Sequence, residues 1–199
     1  MTGYVGLTYD DGPHPDTTMA LLDALRAGGA LATFFIWGEH AERHPDLLRA
    51  VAGAGMWIGN HTYTHPYLTQ LAGPAVAREI SWTQRIIRAI TGRAPSLFRP
   101  PYGDTDARVR ADARRLGLAE VLWTVDTRDW DGAGTADIVE AAATLTDGDI
   151  ILMHDLGYRS TVDAVAPILA GLAARDLRPG RIVVRPGPGG VPRPVAVAP

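Results

Sequence analysis

Short apolar strands alternating with amphipathic helices predict an α/β fold, a parallel (β/α) barrel of about seven strands. Three observations carry this reading. Strand-like and helix-like segments alternate along almost the whole chain, the pattern of parallel strands joined by right-handed crossovers. Seven such units within 199 residues favour one closed or nearly closed barrel over two domains. Unusual polar motifs follow strand after strand at the carboxyl end, where parallel barrels gather their active sites.

The elements follow in order. Val5 to Tyr9 reads as a first strand. Thr17 to Arg26 has apolar residues at helical spacing and stops near Gly28-Gly29. Ala32 to Trp37 is a second strand, Pro45 to Ala52 a helix, and Met56 to Ile58 a short strand. Pro74 to Ile90 is the longest helix, with proline in an early turn and Gly92 past its end. Leu97-Phe98 is a strand, Asp106 to Leu116 a helix, and Val121 to Val125 a strand. Thr135 to Leu145 is a helix, Asp149 to Met153 an apolar strand, Thr161 to Ala174 a helix, and Ile182 to Val184 a last strand. A single domain over residues 1–185 is expected, with a tail over 186–199 whose Pro and Gly content predicts irregular chain.

Composition removes several chemistries. There is no cysteine, so disulfides, thiol nucleophiles and cysteine-bound zinc are excluded. All 19 basic residues are arginine, so a lysine Schiff base and a phosphate-loop lysine are excluded as well. The net charge of -3 and the lack of a basic cluster argue against nucleic acid as partner. No apolar run of ~18 residues occurs, so no membrane span is expected. No charged-then-apolar leader opens the chain. Two expectations stay open, a cytoplasmic protein or a mature secreted domain restarted at Met1.

Tyr9-Asp10-Asp11-Gly12-Pro13 and His61-Thr62-Tyr63-Thr64-His65 carry the most chemistry. Two imidazoles and one carboxylate would give a divalent metal three protein ligands and leave a position open, which suits a catalytic Zn²⁺ better than a structural one. The second carboxylate would then be free to act as a base on water. Each motif also has a plain alternative. Asp-Asp-Gly-Pro alone is more often a turn. Histidines four apart often sit on a solvated helix face. Here Pro66 follows directly, and a residue before proline avoids the helical region, so a loop projecting both rings is expected.

Three further segments complete an ordered set: Arg99-Pro100-Pro101-Tyr102, Asp126-Thr127-Arg128-Asp129-Trp130 and Leu152-Met153-His154. With Thr8 to Pro13 and His61 to His65 they resemble, in order, the five motifs of the polysaccharide deacetylases, carbohydrate esterase family four. Tyr9 stands where phenylalanine is usual. The resemblance runs from Tyr4 to the tail and is nearest to single-domain actinomycete acetylxylan esterases and chitin-type deacetylases. It implies a distorted (β/α) barrel and one divalent metal, Zn²⁺ first and Co²⁺ second, on Asp11, His61 and His65. It implies Asp10 as general base, held by Arg99, and His154 as general acid, paired with Asp129. It implies Tyr102 as oxyanion donor through its backbone N–H, and Trp130 and Leu152 as the wall around the acetyl methyl. Arg99, Asp126 and Asp129 would equally suit a buried salt-bridge network, and Trp130 and Leu152 simple core packing.

His14, His40 and His44 match no motif and read as surface or helix-flank residues. His14 is the exception to watch, since three residues past Asp11 it could reach substrate. The expected substrate is an acetylated glycan such as a chitin oligomer, peptidoglycan or acetylxylan, met by a monomer. Two rival readings are a small-metabolite amide as substrate and a non-catalytic carbohydrate-binding module. Short loops imply an open groove, which fits a polymer better than an enclosed small ligand.

Overall fold

β1 (Gly3–Asp10) is buried along nearly its whole length, as a strand covered on both faces must be. The other elements are arranged around it in a computed structural model that describes residues 2–187 and 192–199. They run α1 (Thr18–Ala27), β2 (Thr33–Ile36), α2 (Gly38–Arg43), α3 (Pro45–Gly53), β3 (Trp57–Asn60), α4 (Gly73–Thr91), β4 (Leu97–Phe98), α5 (Ala107–Arg115), β5 (Ala119–Glu120), β6 (Val125–Asp126), α6 (Thr135–Ala143), β7 (Ile150–His154), α7 (Arg159–Ala174), β8 (Leu177–Pro179), β9 (Arg181–Pro186) and β10 (Pro192–Val197).

Seven strands form one curled parallel sheet in the order β5-β4-β3-β2-β1-β7-β6, and β8 pairs with the start of β1. This is the distorted barrel expected from the sequence. Alternation along β1 sorts its side chains into two layers. Val5, Leu7 and Tyr9 pack outwards with Leu21, Leu22 and Leu25 of α1. Gly6, Thr8 and Asp10 face the lumen. A second apolar layer of Phe35, Val121, Ile150 and Ile182 plugs the lumen from below. The rim above is left to polar groups.

Helix ends follow local chemistry. Pro74 occupies the first turn of α4, and Gly92 ends that helix at φ +78°. Asp106 caps α5 by accepting the Val109 N–H at 2.8 Å. α2 was not expected, because six residues between Trp37 and His44 are too short to show a period.

The barrel does not close by strand pairing. The strand expected over Val121–Val125 does not form: β5 ends at Glu120, and of the expected residues only Val125 lies in a strand, β6, these two strands being the ends of the sheet. The chain between them crosses the seam. The Val121 N–H bonds to Phe98 O at 2.8 Å on one side, and the Thr124 N–H to Ile150 O at 2.9 Å on the other. The Val121 carbonyl is taken by Arg99 Nε at 3.2 Å and the Leu122 carbonyl by Arg99 Nη2 at 3.5 Å. Arg99 Nη1 reaches across to Thr8 Oγ1 at 2.8 Å and Asp10 Oδ1 at 2.7 Å. The guanidinium lies 4.2 Å over the Phe35 ring and 5.5 Å from that of Trp123. It is fully buried.

The tail differs from expectation. β10 pairs antiparallel with β9, from Pro192 opposite Pro186 to Val197 opposite Arg181. Prolines suit such an edge, where one side of the strand needs no donor. The hairpin lies close under the barrel. A Cβ on Gly180 would stand 2.2 Å from the Val197 carbonyl oxygen, so only glycine admits this approach. Residues 188–191 of the expected irregular tail lie outside the described residues.

Arg99→Met would leave Asp10 without its cation and two seam carbonyls without a donor. A loss of ~3–5 kcal/mol in urea unfolding is expected, the usual penalty for breaking a buried pair. Asp10→Asn combined with Arg99→Met should lose less than the sum of the two. A loss below ~1 kcal/mol for Arg99→Met would show that the seam does not depend on it.

Candidate active site

Strand register brings the polar motifs together. Asp10 stands beside His154 in the β1–β7 ladder. Asn60 ends β3 opposite Phe98, which puts His61 and Arg99 next to each other on the rim. The Arg99 N–H bonds to Asn60 O at 2.9 Å, and the His61 N–H to Ile36 O at 3.0 Å.

Asp11 follows β1 at φ +70°, which turns its carboxylate towards the two histidines. His65 Nε2 lies 3.1 Å and His61 Nε2 3.4 Å from Asp11 Oδ1. One ligand atom from each of the three residues lies within 4.8 Å of the others. Asp11 Oδ1 is buried and makes no hydrogen bond. Burial alone would raise the Asp11 pKa. When protonated, His61 and His65 outweigh burial and hold the carboxyl well below the usual carboxylate range. His61 Nδ1–H donates to the Arg99 carbonyl at 2.7 Å, so in the neutral ring Nε2 is the nitrogen with a free lone pair on the side of Asp11. An uncapped carboxylate oxygen and two imidazole nitrogens fit a divalent metal such as Zn²⁺.

The His61–His65 loop is not helical, as Pro66 suggested. Thr62 and His65 both have positive φ, +67° and +58°. Glu79 of α4 holds the loop in this shape, accepting the N–H groups of Tyr63 and Thr64 at 2.9 and 2.8 Å and the Thr64 hydroxyl at 2.9 Å. The His65 ring is fixed by its neighbours, stacked on Trp37 at 4.7 Å and edge-on to Tyr102 at 4.6 Å.

Asp10 and His154 flank these three residues. Asp10 Oδ1 is occupied by Arg99, and its Oδ2 lies 3.7 Å from His61 Nε2. His154 Nδ1–H donates to Asp129 Oδ1 at 2.7 Å. Asp129 also accepts the N–H of His154 at 2.8 Å, that of Trp130 at 3.0 Å and the Thr161 hydroxyl at 2.7 Å. Four donors hold it in place behind the imidazole. Burial opposes a charge on His154, but the bond and charge of Asp129 prevail, helped by Asp10 and Asp11, and its pKa is pushed up to about 9.

The walls are more open. Leu152 is buried two residues before His154, on the lumen side of β7. Tyr102 is 55% exposed at φ +60°, and Trp130 is 49% exposed. Tyr67 stacks on Tyr102 at 4.1 Å. Asp126 does not join the buried network. It is exposed and accepts the Arg128 N–H at 2.8 Å and the Trp130 indole N–H at 3.4 Å, shaping its own loop.

Sequence reasoning missed several supports. His40 was read as surface or helix-flank. Its Nδ1–H bonds to the Asp11 carbonyl at 2.8 Å, and its ring stacks on Trp37 at 4.3 Å. Asp155, next to His154, is buried and accepts the hydroxyls of Thr17 and Thr18, and burial pushes its pKa up to about 6. It ties α1 to β7 behind the site. Only the fold brings these partners near, and no spacing announces them. His14 accepts the Asp16 N–H at 3.3 Å and lies against Gly157 at the edge of the site.

Known proteins are similar to this chain in sequence and fold. The chain is 40% identical over 91% of its length to a bifunctional xylanase/xylan deacetylase of Cellvibrio japonicus, and 38% identical over 85% to chitin deacetylase 1 of Cryptococcus neoformans. It spans only 27% and 40% of those two proteins. A family 4 carbohydrate esterase from Streptomyces lividans, solved with acetate, superposes with a TM-score of 0.89 at 46% identity, covering 99% of this chain and 98% of that one. The sequence profile described as polysaccharide deacetylase matches residues 2–121. With that match, and with the fold shared along its length, the chain belongs to the polysaccharide deacetylase family, carbohydrate esterase family 4.

Proposed function

We propose that this chain hydrolyses acetyl groups from a carbohydrate, with Asp11, His61 and His65 holding one divalent metal, Asp10 as base and His154 as acid. The observation that carries the reading is the pairing of Asp10 with His154 across β1 and β7, each hydrogen-bonded to a partner of opposite charge beside the three proposed ligands. When bound, a metal such as Zn²⁺ or Co²⁺ would activate water and polarise the acetyl carbonyl. Asp10 takes the proton of the attacking water at Oδ2, since Arg99 keeps Oδ1 occupied. The Tyr102 N–H, aimed by its left-handed backbone, donates to the oxygen on which charge develops. His154 carries its proton on Nε2 and gives it to the departing nitrogen or oxygen. Asp129 keeps that proton in place until the bond breaks. Leu152 and Trp130 enclose the methyl group.

The half-exposed Tyr102 and Trp130, with Tyr67 beside them, leave an open groove. That supports a polymer or oligomer over an enclosed metabolite. Relatives named for xylan and for chitin support an acetylated xylan or an N-acetylglucosamine polymer. The proposed ligands, base and acid stand together on one rim, which supports catalysis over a non-catalytic carbohydrate-binding role.

Purified chain should contain about one divalent ion by elemental analysis, and a chelator should abolish acetate release from acetylxylan or chitin oligomers. Asp11→Asn should lose the ion. Asp10→Asn should keep it while kcat falls ~10²–10⁴-fold, the usual worth of a general base. Equal metal loss in both variants would show that the two aspartates are wrongly assigned.

The leaving group separates acid catalysis from binding. An amine needs protonation as it departs, and a phenolate hardly does. His154→Ala should cut kcat/KM for an N-acetyl glycan by ~10²-fold or more and spare an activated aryl acetate. A uniform loss on both substrates would count against His154 as the acid.

The pH profile tests Asp129. A raised imidazole pKa means that the acid form persists above the ordinary His value near ~6.5 and is lost as pH climbs through about 9. Asp129→Asn should therefore move the alkaline fall in kcat/KM to lower pH by at least ~1 unit. An unmoved fall would mean that another group sets it.

A further inference from the structure

A concavity of about 850 Å³ lies at the opposite end of the barrel from the metal ligands. It opens where β3 and β4 begin, between α3 and α4, with β9 along its edge. Its size is that of an ordinary ligand site. Its charged lining is of one sign. Arg49, Arg93 and Arg181 contribute, and no carboxylate does. Arg49 is tied to the exposed Asp46. The guanidinium groups of Arg93 and Arg181 make no hydrogen bond or ion pair with any described residue. This runs against the charge of the chain, which is -3 overall. Half-buried Trp57 lines the groove beside the cations with its large apolar side chain.

We propose that this groove is a second, non-catalytic glycan site that takes a polysaccharide segment carrying uronic acids. An indole wall suits the C–H face of a pyranose ring. A uronic acid carries its carboxylate on that same ring, so ring and charge arrive together, and a guanidinium meets the carboxylate with paired N–H donors. A phosphodiester polymer of open-chain units would satisfy the arginines but offer no flat face to Trp57. Duplex nucleic acid needs a longer basic track than three arginines around a hollow. Because the groove and the catalytic rim lie at opposite ends of the strands, one polymer held below does not obstruct the rim. Holding it there raises the local concentration of further chain segments at the rim.

The test is calorimetric titration of the full chain with oligogalacturonate, a carboxylated glycan, against poly-glutamate and neutral xylo-oligosaccharide. Wild type should bind oligogalacturonate, and added salt towards ~1 M should weaken it. Arg93→Glu combined with Arg181→Glu should lose at least ~10-fold in affinity. Both side chains are exposed, so the fold should survive, and acetate release from a small aryl acetate should be unchanged. Arg93→Gln alone should give a smaller loss. Equal binding by wild type and the double variant would overturn the site. Equal affinity for poly-glutamate, or tighter binding of duplex DNA with the same dependence on Arg93 and Arg181, would overturn the glycan assignment. The outcome is independent of metal content, so it stands or falls apart from the catalytic reading.

Discussion

The Arg99 guanidinium sits in the lumen where the sheet fails to pair with itself. One planar cation there holds the two carbonyls of the seam, the Thr8 hydroxyl of the central strand and the Asp10 carboxylate. A lysine could not do this, because an ammonium lacks the fixed fork of donors. Burying such a cation is unfavourable unless it is paired and its N–H groups are satisfied. Asp10 and the seam oxygens meet that condition together. Closure of the barrel and orientation of the proposed base are thus one interaction seen from two sides.

The other half of the site follows from register. Parallel pairing of β1 with β7 sets Asp10 beside His154 without any loop being involved. Each then receives a partner from a different strand end, Arg99 after β4 and Asp129 after β6. The two titratable groups therefore share a frame but not an environment. The proposed metal ligands come from looser chain, and that chain is held by half-buried polar side chains: Glu79 clamps the His61–His65 loop, and His40 holds the Asp11 carbonyl.

Much of this was legible in the sequence, and for definable reasons. Strands with apolar runs and helices with a 3.6 period reveal themselves locally, so β1, α4 and β7 stood out. Pro66 excluded a helix for the histidine pair by its effect on the residue before it. The polar motifs stood out because each follows a strand. What stayed hidden depends on contacts far apart in the chain. Val121–Thr124 cross the seam instead of forming a strand, and the donor to two of their carbonyls, Arg99, is over twenty residues away. β10 is a strand only because β9 is beside it, and its prolines pointed the other way. His40 is unremarkable until the Asp11 carbonyl and Trp37 meet it.

Among the described residues six other than glycine have positive φ, and five of them, Asp11, Thr62, His65, Tyr102 and Arg128, stand on the rim of the proposed site. Each such conformation is unfavourable for an L-residue by roughly 1 kcal/mol. The rest of the fold must be stable enough to tolerate several at once. At Thr62 and Arg128 a glycine would relieve the backbone and keep every proposed ligand, base and acid. At Asp11 and His65 the same relief would remove a ligand. Adaptation to heat therefore has two free positions on this rim and two closed ones, and a lineage under thermal selection would drift at the first pair while the second stayed fixed.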